Sequence, residues 1–255
     1  MSEKPARFVV AVGSGKGGVG KSTVSLHVAL ALHRRGLNVG LLDADLYGPD
    51  IPLMVNLVRE TPAGRWDFWR AGDVRLEPVE RHGLQIMSVG FLLGEPQALT
   101  LGAPLLAAAL RQLVEHVEWR ALDVLLIDLP PGTADLQQQL PGVVVLAGAV
   151  VVVGPQDLAH LDARKFVDFL RSADVPILGG IENMAGLLCP HCGERVDVFP
   201  AVADARSIWS DGVSLLGRIP LDPELAIDRQ SSEQLEPFDR IAGRLLDALG
   251  RAVAA

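Results

Sequence analysis

This sequence has little basic charge, no long apolar run and few cysteines, and the first two shortages each exclude a class of partner. Its 23 lysines and arginines against 31 acidic residues leave a net charge of −8. It therefore lacks the clustered positive charge on which nucleic-acid binding depends. Its longest apolar run, residues 142–154, lies between two prolines and is well short of the ~20 residues that cross a bilayer. We expect neither nucleic acid nor a membrane as a partner.

The N-terminal segment and the scarcity of cysteine bear on the cellular compartment. Residues 1–7 contain no apolar signal segment, which predicts a cytoplasmic protein. Thiols are kept reduced in that compartment. The only two cysteines, Cys189 and Cys192, are therefore expected to bind a metal or to act in redox chemistry, and a structural disulfide is disfavoured.

Apolar periodicity predicts a single α/β domain spanning residues 1–255. Of these residues 49% are hydrophobic, which is enough for one large core. Short β-branched runs alternate with longer amphipathic runs, a pattern typical of helices covering a mostly parallel sheet. Residues 59–74 fit neither period, and we interpret them as a surface excursion. The predicted strands are residues 8–12, 39–42, 84–88, 124–127, 149–153, 176–181 and 215–219, and the predicted helices are residues 21–35, 104–117, 158–170 and 239–253.

A glycine-rich segment between the first predicted strand and the first predicted helix is the strongest functional signal. Residues 15–22 fit the phosphate-loop pattern G-x-x-x-x-G-K-[ST]. Glycines allow successive backbone N–H groups to surround an anion at the helix N-terminus. Lys21 is expected to reach the β- and γ-phosphates, and the Ser22 hydroxyl to ligate Mg²⁺. The loop spans residues 13–23, and its predicted ATP-binding residues are Gly15, Lys16, Gly17, Gly18, Val19, Gly20, Lys21, Ser22 and Thr23.

Lys16 is an additional clue, because the ordinary phosphate-loop pattern requires no lysine at that position. The loop resembles the deviant form of the group that includes the arsenical-pump, Min, Par and nitrogenase iron-protein ATPases. That resemblance implies that Lys16 crosses a dimer interface and touches the nucleotide of the partner.

Two predicted strands end in acidic residues that suit phosphoryl transfer. Asp128 ends an apolar strand, at the edge of the sheet where α/β proteins bind ligands, and is expected to hold Mg²⁺ directly or through water. Asp43 and Asp45 are expected to project from the tip of another strand. We expect Asp43 to support the ligand shell of the metal, and the deviant-loop resemblance implies that Asp45 orients the attacking water. Taken singly, each motif would also suit an N-cap or a solvated strand end.

The two cysteines form one compact motif, residues 189–193, which reads CPHCG. A tetrahedral zinc site or a cubane iron-sulfur cluster takes about four thiolate ligands, and one chain has two. Two copies related by a two-fold axis would supply four, which predicts a homodimer sharing one metal centre. A redox pair and two buried thiols are the alternatives, and the cysteines do not distinguish zinc from iron-sulfur. His191 is expected to point outward and not to bind the metal.

Further motifs occur in the same order as in one known family: residues 41–52, 127–133, 155–157, 161–165, 182–184 and 217–222, besides the phosphate loop and the cysteine motif. On these motifs the chain resembles the Mrp-type iron-sulfur cluster carrier ATPases from residue 8 to residue 225. The resemblance implies a three-layer fold with a deviant phosphate loop, ATP hydrolysis with Mg²⁺, and a [4Fe-4S] cluster bridging two protomers. It also implies that Asn183 contacts adenine and that Cys189 and Cys192 ligate the cluster. Assembly scaffolds would donate the cluster and apo-proteins would receive it.

Three stretches depart from the family pattern, and two rival functions stay open. Ala134 stands where the family has a glycine, which would slow hydrolysis if that backbone needs a positive φ. Residues 200–206 replace a glycine-rich stretch, and residues 101–104 replace a tryptophan-containing element.

A Min- or Par-like positioning switch would need a basic surface or tail, whereas the mixed charge of residues 235–255 predicts a core-packing helix. A zinc-stabilised ATPase with no cluster would use the same cysteines.

Overall fold

The structure, a computed structural model, describes residues 5–45, 48–57, 76–91, 103–132, 140–189, 191–192, 194–200, 202–222, 225 and 231–254. Within these residues nine strands form one sheet. The predicted α/β fold with a mostly parallel sheet is confirmed. The surface excursion predicted for residues 59–74 lies outside the described residues.

The strands and helices alternate along most of the chain. The strands are β1 Ala6–Gly13, β2 Val39–Asp43, β3 Val79–Arg81, β4 Leu84–Ser88, β5 Leu122–Asp128, β6 Gly148–Val153, β7 Ile177–Leu188, β8 Arg195–Val196 and β9 Leu215–Leu221. The α-helices are α1 Lys21–Arg34, α2 Ile51–Met54, α3 Ala103–Glu115, α4 Asp157–Ser172 and α5 Ser232–Ala254, and short 3₁₀ turns occur at Val89–Phe91 and Asp204–Arg206.

The sheet order brings the acidic strand ends together. The strands run β3-β4-β2-β5-β1-β6-β7-β8, with β9 also paired to β7. The pairs β3–β4 and β7–β8 are antiparallel, and the other pairs are parallel. In the register of β2 and β5, Asp43 lies beside Asp128. Both carboxylates therefore lie at the carboxyl edge of the sheet, next to the end of β1, where the phosphate loop begins.

Glycines on neighbouring strands show that both faces of the sheet are covered. A Cβ atom at Gly180 would lie 2.5 Å from the ring of Trp209. Gly217 pairs with Ile181 on β7, and a Cβ atom added at Gly217 would lie 2.5 Å from the side chain of Ile241 in α5. Because successive residues of a strand point to opposite faces, Trp209 and Ile241 lie on opposite sides of the sheet. The three-layer arrangement follows from this packing.

The C-terminal helix packs in the core, as its mixed charge predicts. Phe238, Ile241 and Leu245 of α5 are at most 1% exposed, and the ring of Phe238 lies 4.9 Å from that of His27 in α1. A helix with one apolar face buried in this way is a structural element of the fold. Among the described residues, no helix is long and apolar enough to cross a membrane.

All seven predicted strands and all four predicted helices are present, but α5 begins at Ser232, earlier than predicted. The reason is local capping. Ser231 Oγ accepts a hydrogen bond from Gln234 N at 3.2 Å, and Gln234 Oε1 accepts one from Ser231 N at 2.8 Å. This reciprocal pair starts the helix even though Pro237 lies inside it. Strands β3 and β8 and helix α2 were not predicted.

Candidate functional site

The phosphate loop joins β1 to α1 and has the backbone of an anion cradle. Gly18 and Gly20 have φ values of 78° and 76°, in the left-handed region that favours glycine. Gly20 is the N-cap of α1, and its carbonyl accepts a 2.9 Å hydrogen bond from Val24 N. The first turn of α1, which the structure describes completely, has no acidic residue. The partial positive charge of the helix N-terminus is therefore available to a bound phosphate.

Helix α4 forms a rigid rear wall for this loop. A Cβ atom at Gly15 would lie 2.1 Å from the backbone carbon of Asp162, and one at Gly13 would lie 2.3 Å from the ring of Phe166. Both contacts are closer than any side chain tolerates. The loop backbone therefore packs directly against α4, which explains why these two positions are glycine.

Asp128 is the centre of the polar network behind the loop. Its carboxylate is fully buried. Lys21 Nζ donates to Asp128 Oδ2 at 2.8 Å, Ser22 Oγ donates to the same oxygen at 2.7 Å, and Ser25 Oγ donates to Oδ1 at 2.6 Å. Carboxylate and hydroxyl oxygens are the ligands that Mg²⁺ takes. Asp128 Oδ2 and Ser22 Oγ, which lie side by side at the helix N-terminus, therefore fit a magnesium site.

Asp43 differs from the expectation that it projects from a strand tip. It is fully buried and accepts hydrogen bonds from Ser88 Oγ at 3.0 Å, from Asp45 N at 3.1 Å and from Ile51 N at 3.3 Å. Burial, and next the nearby charge of Asp128, raise the pKa of Asp43 well above its ordinary value, against these hydrogen bonds. The side chain therefore secures the segment that follows β2, and its role toward the metal stays a prediction.

The loop and the segment after β2 enclose a pocket of about 430 Å³. Its lining includes Lys16, Asp45, Asp50, Leu53 and Met184 together with Gly17, Gly18 and Gly20 of the loop. Lys16 is half-buried, and Asp45 Oδ1 accepts a hydrogen bond from the backbone N–H of residue 48 at 3.2 Å. The predicted nucleotide residues Lys16, Lys21, Ser22 and Asp45 thus come together, and their individual roles stay predictions.

Asn183 connects strand β7 to the phosphate loop. Its side chain is 7% exposed, and its Nδ2 donates to Val19 O at 2.9 Å. The next residue, Met184, has a φ of 59°, which is uncommon for a side chain of this size. The pairing of β7 with β9 shifts register just beyond it. Asn183 therefore supports the loop, and its contact with adenine stays a prediction.

The cysteine motif continues directly from β7. Strands β7 and β8 pair through Leu188 and Arg195, and Cys189 N donates to Glu194 O at 2.8 Å. Cys189 is partly exposed and Cys192 is exposed. The alternative of two buried thiols is therefore wrong for this hairpin. His191 is exposed, so its predicted outward position is confirmed.

The hairpin backbone favours thiolate chemistry at Cys189. Hydrogen bonds to its sulfur from the backbone N–H groups of Cys192 and then His191, and from the Cys192 side chain, lower the pKa of the Cys189 thiol. Thiolate, not thiol, is the form that binds metal. Within the described residues, no group of three or more His, Cys, Asp or Glu side chains could hold a metal ion. The described part of the chain thus offers two thiolates at this hairpin, and their completion to four by a second copy stays a prediction.

A polar cluster that the sequence analysis did not identify lies beside the hairpin. Glu182 pairs with Arg218, and His160 Nε2 lies 3.7 Å from Glu182 Oε1. Burial alone would raise the pKa of Glu182, but the His160 and Arg218 side chains outweigh it and lower that pKa. The cluster borders a second cavity, of about 540 Å³. Its members lie on α4, β7 and β9, so no short sequence motif could have revealed it.

Ser25 is a second residue that the sequence analysis missed. It is fully buried in α1, one turn beyond the phosphate loop. The signal was a small hydroxyl residue on the helical face of Lys21 and Ser22, within an otherwise mainly apolar run.

Of the departures from the family pattern, Ala134, residues 101–102 and Ala201 lie outside the described residues.

Comparison with known proteins identifies the family. A family model described as "ParA: NUBPL iron-transfer P-loop NTPase" matches residues 6–244. The chain belongs to this family. The family predicted from the sequence, with its phosphate-loop NTPase fold, is thereby confirmed. A nucleotide-binding protein from Archaeoglobus fulgidus, solved in complex with ADP, is 35% identical with a TM-score of 0.71, and the match covers 94% of this chain and 88% of that one.

Curated relatives of this NTPase family carry names that refer to iron-sulfur clusters. An "iron-sulfur cluster carrier protein" of Aquifex aeolicus is 43% identical over 91% of this chain and 62% of its own length. One with the same name from Pseudomonas fragi is 43% identical over 85% of this chain and 74% of its own length. The chain thus spans about three fifths to three quarters of these relatives. The cell-division ATPase MinD of Pyrococcus furiosus, 20% identical with a TM-score of 0.64, shares the fold.

Proposed function

We propose that this protein is an ATP-dependent iron-sulfur cluster carrier. It binds and hydrolyses ATP at the phosphate loop, holds a [4Fe-4S] cluster between two copies of the chain, and passes that cluster to apo-proteins. One observation carries the proposal: β7 contacts the phosphate loop through Asn183 and leads directly into Cys189. A single strand therefore joins the nucleotide pocket to the thiolate hairpin.

Nucleotide binding relies on the loop backbone and on two lysines. The N–H groups of the loop and the N-terminus of α1 surround the phosphates. Lys21 neutralises charge on the β- and γ-phosphates, and Lys16, half-buried at the rim of the pocket, reaches the nucleotide of the partner copy. Closing two copies over two nucleotides would bring their cysteine hairpins into one shared environment.

Hydrolysis converts ATP and water to ADP and phosphate, and the protein acts mainly by positioning. Ser22 Oγ and Asp128 Oδ2 would hold Mg²⁺, which when bound draws charge from the phosphate oxygens. Asp45 lines the pocket and orients the attacking water by accepting a hydrogen bond from it. Asp43 keeps the backbone of Asp45 in place through the 3.1 Å hydrogen bond described above.

The cluster is the cargo of the reaction. Cys189 and Cys192 supply two thiolates per chain, and two chains supply the about four that a cubane cluster requires. The hairpin is exposed at Cys192, so a cluster held there is accessible both to a donor scaffold and to an apo-protein recipient. Relatives that share about 40% identity are named as carriers of such clusters, which supports this reading of the cysteine pair.

Anaerobic reconstitution with iron and sulfide tests the cluster assignment. The wild-type protein is expected to form a dimer with about four iron atoms per dimer and a visible charge-transfer absorption. Cys192→Ala should lose both signals, while His191→Ala, which alters an exposed neighbour, should keep them. Unchanged iron content in Cys192→Ala, or a full cluster on a strict monomer, would overturn the assignment. Recovery of zinc without iron or sulfide would favour a zinc-stabilised ATPase.

ATP turnover tests the nucleotide half of the proposal. Lys21→Ala should abolish phosphate release, because the lysine both contacts Asp128 and neutralises phosphate charge. Lys165→Ala, which removes an exposed lysine paired with Asp162 on the surface, should leave turnover unchanged. Turnover in Lys21→Ala that equals the wild-type rate would remove the phosphate loop from the mechanism.

A further inference from the structure

Among the described residues that donate a hydrogen bond to the Asp128 carboxylate, Ser25 is the one to which neither the phosphate loop nor the sequence motifs assign a role. It is fully buried, and its hydroxyl donates to Asp128 Oδ1 at 2.6 Å. A serine inside a helix usually turns its hydroxyl to the carbonyl four residues earlier. This serine instead bonds a carboxylate 103 residues away in sequence. The contact joins helix α1 to strand β5.

The two oxygens of Asp128 have different partners. Oδ2 accepts hydrogen bonds from Lys21 and Ser22, both at the phosphate loop. Oδ1 accepts a hydrogen bond from Ser25, in the next turn of the helix. The terminal torsion of an aspartate is broad and roughly two-fold, so its carboxylate rotates unless both oxygens are held. Because Ser25 holds Oδ1, Oδ2 faces the position where Ser22 would bind a metal.

We propose that Ser25 is a positioning residue for Mg²⁺, acting through Asp128. The inference depends on the proposed function, since it concerns the metal that accompanies ATP. Ser25 itself touches neither nucleotide nor metal. Its hydroxyl fixes the orientation of Asp128 Oδ2, so that the carboxylate and the Ser22 hydroxyl present their oxygens to the metal together. In other metal sites, mutation of a residue that hydrogen-bonds to a metal ligand in this way weakens metal affinity by about 10–100-fold.

The defining measurement is the affinity of Mn²⁺ for the protein with ADP bound, followed by electron paramagnetic resonance of free Mn²⁺. Ser25→Ala should weaken Mn²⁺ binding by about tenfold or more. Affinity for ADP in the presence of EDTA should stay within about twofold of wild type, because the loop backbone and Lys21 are unaltered. ATP turnover should need correspondingly more Mg²⁺ and recover as Mg²⁺ approaches saturation.

Matched variants separate positioning from general damage to the fold. Ser25→Thr keeps a hydroxyl and should restore Mn²⁺ affinity to within about threefold of wild type. Ser207→Ala removes another buried serine hydroxyl, one that accepts a hydrogen bond from Trp209 N and borders the second cavity instead of the nucleotide pocket, and should not alter Mn²⁺ affinity. If Ser25→Ala does not fold, Ser25→Cys, close in shape but a weak donor, should show the same weakened Mn²⁺ binding.

Two results would overturn the inference. One is a folded Ser25→Ala, or Ser25→Cys in its place, whose Mn²⁺ affinity equals that of the wild type. The other is an equal loss of ADP affinity in EDTA, which would mean that the serine only supports the loop. Failure of the proposed function looks different. A wild type that binds ADP and Mn²⁺ in a Ser25-dependent way, yet releases no phosphate, would refute hydrolysis and leave the role of Ser25 standing.

Discussion

Gly20 lies where the phosphate loop, helix α1 and strand β7 meet, and replacing it by alanine tests that junction. Its φ of 76° makes any L side chain strained, at about 1–2 kcal/mol. In addition, a Cβ atom there would lie 2.3 Å from Asn183 Nδ2. That collision displaces the amide from Val19 O, and the loss of such a buried hydrogen bond costs about 1–3 kcal/mol. Gly20→Ala should therefore destabilise the protein by about 2–5 kcal/mol.

Gly18 provides a matched control for this prediction. Its φ of 78° carries the same strain, but nothing lies within 4 Å of the position of a Cβ atom. Gly18→Ala should cost only the strain, about 1–2 kcal/mol. Asn183→Ala alone should cost about 1–3 kcal/mol through the lost hydrogen bond. In the double variant Gly20→Ala/Asn183→Ala that bond is lost only once, so the two single costs should not add.

Urea unfolding followed by tryptophan fluorescence measures these four free energies, and a fluorescent ATP analogue measures affinity in parallel. The expected coupling between Gly20→Ala and Asn183→Ala is about 1–3 kcal/mol. Equal destabilisation by Gly18→Ala and Gly20→Ala would refute the collision. So would strict additivity in the double variant, since it would mean that Asn183 and Gly20 do not share the contact seen in the structure.

Two titrating groups outside the nucleotide pocket give further predictions. Burial, and next the charge of Arg34, lower the pKa of His27 from 6.5 to about 4, so the folded state prefers the neutral ring. This shift contributes about 3 kcal/mol to the free energy of unfolding; the contribution is fully present above pH 6.5 and is lost as the pH falls toward 4. In urea unfolding measured across this pH range, His27→Phe should show a flatter dependence of the free energy of unfolding on pH than the wild type. For Cys189, the rate of iodoacetamide alkylation in metal-free protein can be followed by mass spectrometry as a function of pH. The pH at which this rate is half-maximal should lie below the ordinary thiol pKa of 9.0. A midpoint at or above pH 9.0 would contradict the hairpin hydrogen bonds.

The parts of the fold that could be predicted depend on neighbours in sequence. Strand β6 is buried along its whole length, so it appears in the sequence as an unbroken apolar run, and the helices show their own periodicity. The phosphate loop is contiguous, so its glycines and Lys21 identify it without any structure. The early start of α5 was missed because the exchange of hydrogen bonds between Ser231 and Gln234 competes with a proline, Pro237, that normally ends a helix.

The parts of the site that could not be predicted depend on contacts across the sheet. The orientation of Asp43 follows from Ser88 on the neighbouring strand and from the backbone of Ile51, and neither is marked in the sequence as a partner. Ser25 resembles any small residue in a buried helix until β5 brings Asp128 beside it. Polar contacts of this kind become visible only when the strand order is known, because the partners are distant in the chain.

The glycine contact behind the phosphate loop has a consequence for where the nucleotide pocket can widen. At Gly15 two backbones touch with no side chain between them, so that side of the pocket has no compressible layer and cannot retreat. Helix α2 also lines the pocket; it is held by the 3.3 Å hydrogen bond from Ile51 N to Asp43 and by the buried Ile51 side chain, and it carries Leu53, 68% exposed. Because Leu53 faces solvent and the backbone behind Gly15 has no free space, we expect the pocket to widen on the α2 side when a bound product of the proposed hydrolysis leaves.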